Sequence, residues 1–214
     1  MDDLFLKNVT CLVCGNNFKT SKVRRSRYVV SKVDTDFCTY YKGENPLFYN
    51  VNICPFCGYG FTENFAEPGE SSKEAIQNKI FKFNIDFSGK RSVDLAILAY
   101  RRAIDCALLQ KGKNILLAGL SLHMAWLYRF LGEEEPERKY MAESLHYYKE
   151  AFEKDAEIGN LATTLYIMGD LNRRLGNDRE AILYFTKIIN DKSITDAGII
   201  RMARERWQDM RGTK

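Results

Sequence analysis

Cys11-Leu-Val-Cys14-Gly15-Asn-Asn-Phe18 and Cys54-Pro-Phe-Cys57-Gly58-Tyr-Gly-Phe61 are two copies of one pattern, a C-x-x-C pair followed by Gly and then Phe. Each copy offers two sulfurs on a tight turn that the Gly permits, and two such knuckles in one chain point to a four-thiolate metal site. Four thiolates suit tetrahedral coordination. Zinc in a structural role is therefore expected on Cys11, Cys14, Cys54 and Cys57, with a rubredoxin-like iron site as the runner-up. Four protein ligands leave no position for water or substrate, so this ion is a staple for a small domain rather than a catalytic centre.

Working outward from the knuckles, Tyr28–Val30 and Leu47–Ile53 are β-branched or aromatic and bounded by Gly43, Asn45 and Pro46. They read as strands, the second running straight into Cys54. The stretch Glu67-Pro68-Gly69-Glu70-Ser71-Ser72 has no apolar residue and concentrates helix breakers, which places a boundary there. Beyond it apolar residues recur at intervals of three and four over 92–110, 114–131, 136–156, 160–175, 178–190 and 199–210, the pattern of packed helices. Ser92 and Asp178 read as N-caps, and Gly132 and Gly176 as left-handed C-terminal glycines.

Leu165, Met168, Gly169, Asn172, Gly176, Ala181, Phe185 and Ile188 fall at the spacing of a tetratricopeptide helix pair. Ser121, Met124, Ala125, Tyr128, Gly132, Ser144, Tyr148 and Ala151 form a weaker copy. The turn glycines are separated by more than the usual period of about 34 residues, and the surplus is assigned to a long loop around Glu133-Glu134-Glu135-Pro136. The expected fold class is α+β: a small β zinc-ribbon or rubredoxin-like domain over 1–66, followed by an all-α tetratricopeptide-like array over 72–214.

With 45% apolar and 28% charged residues in 214, the chain has an ordinary globular composition. It lacks a membrane-length apolar run, and its start lacks a basic segment followed by an apolar one. A cytoplasmic protein is expected, where reduced cysteines serve metals rather than disulfides. The net charge of +4 does not by itself imply nucleic acid. Lys19, Lys22, Arg24, Arg25, Arg27 and Lys32 nevertheless form a local basic stripe, either a nucleic-acid contact or a solvated hairpin face.

In the helical half His123, Trp126, Arg129, Phe130, Tyr166, Asp170, Arg173 and Arg174 fall off the helix-packing positions. Aromatic rings and guanidinium groups on a concave surface suit a protein or peptide partner. The alternative is that the metal domain or the last helix covers this groove. Cys38 has no knuckle frame and reads first as a buried, inert thiol, with a substitute metal ligand and a nucleophile as the alternatives. Two histidines outside any H-E-x-x-H context, and a Gly89-Lys90-Arg91-Ser92 segment lacking an upstream glycine loop, argue against an enzyme. A non-enzymatic adaptor using the groove is the first expectation. A nucleic-acid-binding protein is the second, and an enzyme with Asp34, Asp36, Cys38 and His123 between the halves is the third.

The chain also resembles the bacterial family DUF2225, a domain of unknown function, over nearly its whole length. The resemblance rests on the paired knuckles, on Asp34-Thr35-Asp36-Phe37-Cys38, on Tyr41-Lys42-Gly43-Glu44-Asn45-Pro46 and on Ala125-Trp126-Leu127-Tyr128-Arg129. It implies a soluble bacterial protein with no established activity. The polar segment from Asp34 to Pro46 is longer than joining two metal knuckles requires.

Overall fold

Three two-stranded antiparallel ribbons come first and α-helices follow, seven of them among the described residues, so the fold is α+β. The structure is a computed structural model that describes residues 3–154 and 159–212. The expected domain ends at 1 and 214 lie outside the described residues.

The first ribbon pairs β1 (Leu4–Thr10) with β2 (Asn17–Val23), the second β3 (Val30–Val33) with β4 (Thr39–Tyr41), and the third β5 (Asn52–Ile53) with β6 (Gly60–Phe61). Their tips are, in order, the first knuckle, the acidic segment Asp34–Cys38 and the second knuckle. The strand readings need correcting. Val30 alone of Tyr28–Val30 enters a strand, and Pro46–Tyr49 is a 3-10 turn. The reason is local: Pro46 presets the backbone, and the Asn45 side chain accepts from the Leu47 N–H at 3.0 Å. β1 and β2 carry no apolar alternation: β1 is exposed on both faces over much of its length, and the buried positions of β2 include the polar Thr20 and Ser21.

The helices are α1 (Glu70–Lys79), α2 (Val93–Leu109), α3 (Asn114–Leu131), α4 (Glu134–Lys154), α5 (Leu161–Leu175), α6 (Asp178–Asn190) and α7 (Ala197–Gly212). Ser92 caps α2 through the Leu95 N–H, and Gly132 (φ 73°) and Gly176 (φ 86°) close α3 and α5 in the left-handed region. Three expectations fail. Asn177, not Asp178, holds the N-cap position of α6, and Asp178 is the first residue of the helix, where its charge favours the positive end of the dipole. Helix α1 begins inside the stretch read as a linker, with Gly69 at its N-cap. The long loop at Glu133–Pro136 does not form, because α4 starts at Glu134. A proline does not break a helix in its first turn: the missing N–H of Pro136 has no intrahelical partner to lose there, and three glutamates favour the positive end of the helix dipole. The expected end of this helix at Ala156 lies outside the described residues.

One apolar core crosses the position at which the halves were expected to separate. Cys11, Val13, Phe18, Ile53, Tyr59 and Phe61 from the ribbons share it with Ile76, Ala99, Tyr100, Ala103, Leu120 and Met124 from the helices. The approach is close: a Cβ on Gly60 of β6 would lie 2.8 Å from the Arg102 side chain and 3.1 Å from the Ala103 backbone of α2. Gly169 of α5 plays the same role against Phe185 of α6, where a Cβ would come within 2.6 Å of the ring.

Candidate functional site

The two knuckles fold as hairpin tips with matching backbone bonds. Gly15 N–H donates to Cys11 O at 3.0 Å and Gly58 N–H to Cys54 O at 2.9 Å, with both glycines at positive φ. The turns bring all four sulfurs within 4.8 Å of one another, with Cys11 Sγ to Cys57 Sγ and Cys14 Sγ to Cys54 Sγ both 3.6 Å. A tetrahedron with metal–sulfur bonds of about 2.3 Å has an edge of roughly 3.8 Å. The cluster is therefore the right size for a metal ion. Hydrogen bonding within the cluster pushes the Cys54 thiol down, through Cys11 and then Cys57, and pushes Cys11 up through Cys54 and Cys57 up through Cys11 and then Cys54. Ligation of a cation by all four sulfurs would require their deprotonation, and the cation would neutralise the charge so gathered.

The middle hairpin reaches across to the helices. Asp34 N–H donates to Cys38 O and Phe37 N–H to Asp34 O, and the turn places Phe37 at φ 68°, a conformation that costs a bulky residue about 1–2 kcal/mol. The surrounding contacts hold it there. Phe37 packs on Tyr166, ring centres 5.4 Å apart. Asp36, fully buried, accepts from Trp126 Nε1 at 3.0 Å and from Arg129 Nη1 and Nη2 at 3.0 and 2.7 Å, with Arg174 Nη2 at 3.4 Å. Arg129 also meets Asp34 at 3.0 Å and Glu137 at 2.7 Å. Thr35 Oγ1 donates to Asp170 Oδ2 at 2.8 Å and accepts from Arg173 and Arg174. Phe130 meets Tyr40 and Phe48 edge-on. Seven of the eight groove residues thus face the N-terminal half, and the surface expected to receive a partner holds the chain's own hairpin tip. Burial would raise the Asp36 pKa, but the hydrogen bonds and charge of Arg129, with Arg174 and Trp126, outweigh it and hold the carboxyl below its ordinary range.

The eighth, His123, lies elsewhere. It packs between Tyr100 and Trp126, with Tyr100 Oη 3.3 Å from its Nδ1, and burial pushes its pKa down to about 4. Its edge reaches a cleft of about 1040 Å³ between the ribbons and the start of α3. Asp36 and Cys38 do not line that cleft. Cys38 is fully buried and its thiol is pushed up to about 12 by burial, so Asp34, Asp36 and Cys38 do not assemble with His123 at the cleft.

The basic stripe is also dispersed. Lys22 turns inward and donates to Tyr49 O at 2.6 Å, Arg27 meets Asp3, and Lys32 meets Asp34 at 2.7 Å on another hairpin. Arg24 lies over the Phe5 ring, while Lys19 and Arg25 are exposed. The cause is the hairpin itself: β2 alternates its faces, and the chain then turns at Arg25–Arg27 before entering β3.

One residue escaped the sequence reading altogether. Arg91 is fully buried, and its guanidinium makes five hydrogen bonds, to Phe87 O twice, Phe48 O, Val51 O and Thr20 Oγ1. It ties two separate segments of the N-terminal half, at Thr20 and at Phe48–Val51, to Phe87 and the entry of α2. An arginine beside Lys90 and Ser92 carries no local signal of such burial.

The family model described as "Uncharacterized protein conserved in bacteria (DUF2225)" matches residues 4–210. No curated protein and no solved structure matches the chain.

Proposed function

The chain belongs to this family of proteins conserved in bacteria, and from that premise and the geometry above we propose a non-enzymatic, zinc-stabilised binding protein of the cytoplasm. In this reading residues 1–66 are a zinc-ribbon-like unit whose hairpins carry the knuckles at their tips. Residues 72–214 are a tetratricopeptide-like array, supported by the two-residue turns between α3 and α4 and between α5 and α6 and by the Gly169–Phe185 approach. The observation that carries the proposal is the docking of Asp34–Cys38 on Trp126, Arg129 and Arg174. It spends the groove on fixing the two halves together and leaves the cleft between them as the open concave surface. The metal serves that architecture by holding the hairpins flanking the docked tip, and closed four-thiolate ligation gives it no substrate position.

Zinc is favoured over iron for a site with a purely structural task. Metal analysis and hydrogen exchange test the reading together. One zinc per chain is expected, and stripping it with a strong chelator is expected to release protection in the knuckles, in Asp34–Cys38 and in the α2 segment that shares their core. Unchanged exchange at Asp34–Cys38 after complete removal of the metal would sink the proposal.

A second reading keeps a protein or peptide partner, for which the exposed Tyr28, Val29, Val30 and Val33 beside Arg27 and Lys32 are the supporting observation. Protection confined to β3 on binding would favour it over the cleft.

A further inference from the structure

We infer that the cleft between the ribbons and α3 binds a small phosphorylated molecule carrying a planar ring, a nucleotide in chemical class; this rests on the reading of the cleft as the open surface of a binding protein. Its volume of about 1040 Å³ suits a ligand of that size. Four cationic side chains line it, Lys7, Lys22, Arg25 and Lys113, against one carboxylate, Glu63, which is paired with Lys7 at 2.6 Å. Cationic side chains outnumber carboxylates on the cleft wall, and the charge of Glu63 is shared among Lys7, Lys22 and Arg25.

Lys22 is the centre of that imbalance. Its ammonium donates to Tyr49 O at 2.6 Å and Asn50 O at 3.3 Å, both neutral acceptors, while the buried Arg91 adds a second positive charge behind it. Burial and that like charge push the Lys22 pKa down to about 8. An anion entering the cleft offsets both effects at once. A phosphate does so best, because its oxygens accept from an ammonium and from the fork of Arg25 together.

The ring requirement comes from the rim. Phe5 and Tyr28 line the cleft and remain 37% and 41% exposed. Arg24 lies over Phe5 and Tyr41 meets Tyr28 edge-on, and the surface that each ring keeps exposed suits stacking of a planar ring, which is tolerant of the base it receives. Deeper in, Leu116 and Leu120 give apolar walls, and Asn64 and the amide NH2 of Gln110, whose Oε1 accepts from Tyr59, offer polar groups to a ring edge. This combination of a charged end, flat rings and amides is what a nucleotide needs. A long polymer fits less well, because the stripe residues Arg27 and Lys32 are tied up in ion pairs away from the cleft.

The test is titration calorimetry and hydrogen exchange on the full metal-loaded chain with AMP, ADP, adenosine, inorganic phosphate, a medium-chain fatty acid and a short single-stranded oligonucleotide. AMP or ADP should bind at one site with a Kd below about 1 mM, protecting Asn50, Thr62–Ala66 and the start of α3. Adenosine and phosphate should each bind at least about tenfold more weakly. Arg25→Ala should lower nucleotide affinity about tenfold, Lys22→Met at least as much, and Arg27→Ala, outside the cleft, should leave it unchanged. Circular dichroism and thermal melting establish that each variant is folded. Because Arg25 is exposed, its variant keeps the test decisive even if the Lys22 variant unfolds.

Tight binding of the oligonucleotide alone, or equal losses in the Arg25 and Arg27 variants, overturns the proposal in favour of a surface contact with nucleic acid. Cleft protection by the fatty acid but by no nucleotide overturns the ligand class and leaves the binding-protein reading standing. No cleft protection by any of these probes overturns the ligand assignment, while loss of the metal-dependent docking of Asp34–Cys38 is read separately from the same exchange data.

Discussion

Replacing Asp36 with Ala should cost about 3–4 kcal/mol of folding stability, a magnitude that follows from what the carboxylate leaves behind. Breaking a buried ion pair by removing one partner costs roughly 3–5 kcal/mol when the other charge is stranded. Arg129 is not fully stranded, since Asp34 at 3.0 Å and Glu137 at 2.7 Å remain, and Arg174 keeps Asp170 at 2.9 Å. That places the charge penalty near the low end. The Trp126 indole N–H loses its acceptor as well, adding about 1 kcal/mol. For a chain of this size the sum corresponds to a fall in Tm on the order of 10 °C. Urea denaturation followed by tryptophan fluorescence measures it, and a double-mutant cycle with Arg129→Met isolates the pair. Because the folded-state pKa of Asp36 lies below its ordinary 3.8, the pair's contribution is fully present above that pH and is lost as pH falls through the folded value. The Asp36→Ala protein should accordingly lose less stability than wild type on acidification below pH 3.8. A cost under about 1 kcal/mol, or a cycle that is simply additive, would refute the view that this hairpin tip is docked through its charge.

Three other outcomes follow from the same geometry. Burial lowers the His123 pKa to about 4 from an ordinary 6.5, so the fold favours the neutral ring; stability is complete above pH 6.5 and declines as pH falls toward 4. His123→Gln should remove that slope in urea midpoints measured across this window, which lies above the window of Asp36. Arg91→Lys retains the charge but has three donors where five are used, and should lower stability by about 2–4 kcal/mol in the same denaturation assay. Gly169→Ala forces a methyl group to within 2.6 Å of the buried Phe185 ring and should cost about 1–3 kcal/mol, whereas Gly119→Ala, with no atom within 4 Å, should gain about 0.5–1 kcal/mol in thermal melting.

What could be read from the sequence is what short-range physics specifies. A knuckle is four residues and a glycine, so its ligands and its turn are written together, and the cluster of Cys11, Cys14, Cys54 and Cys57 was legible without any model of the fold. Helices α3 and α6 were legible to the residue because periodicity and flanking turns are local. The groove residues could be selected by elimination, as positions unused in helix packing, but their occupant could not: Asp36 and Arg129 are 93 residues apart, and no local pattern announces their meeting. One signal was available. Asp34 and Asp36 sit immediately beyond a basic stretch, on a hairpin with no metal ligand of its own, opposite a helical set rich in arginine.

That placement also explains why a metal on the four cysteines and the docked tip would belong to one device. Cys14 and Cys54 are 40 residues apart, and a cation that ties them closes a loop containing the entire middle hairpin. Closing a loop of that length removes conformational freedom from the unfolded chain, so part of the entropic cost of presenting Asp34–Cys38 is met before the tip reaches the helices. The tip then needs to supply little more than its own charge and the Phe37 contact, which is why a strained φ of 68° is tolerated there. Metal binding and tip docking should consequently be coupled, each raising the other's apparent affinity, with the shared core between ribbons and α2 as the element through which both act.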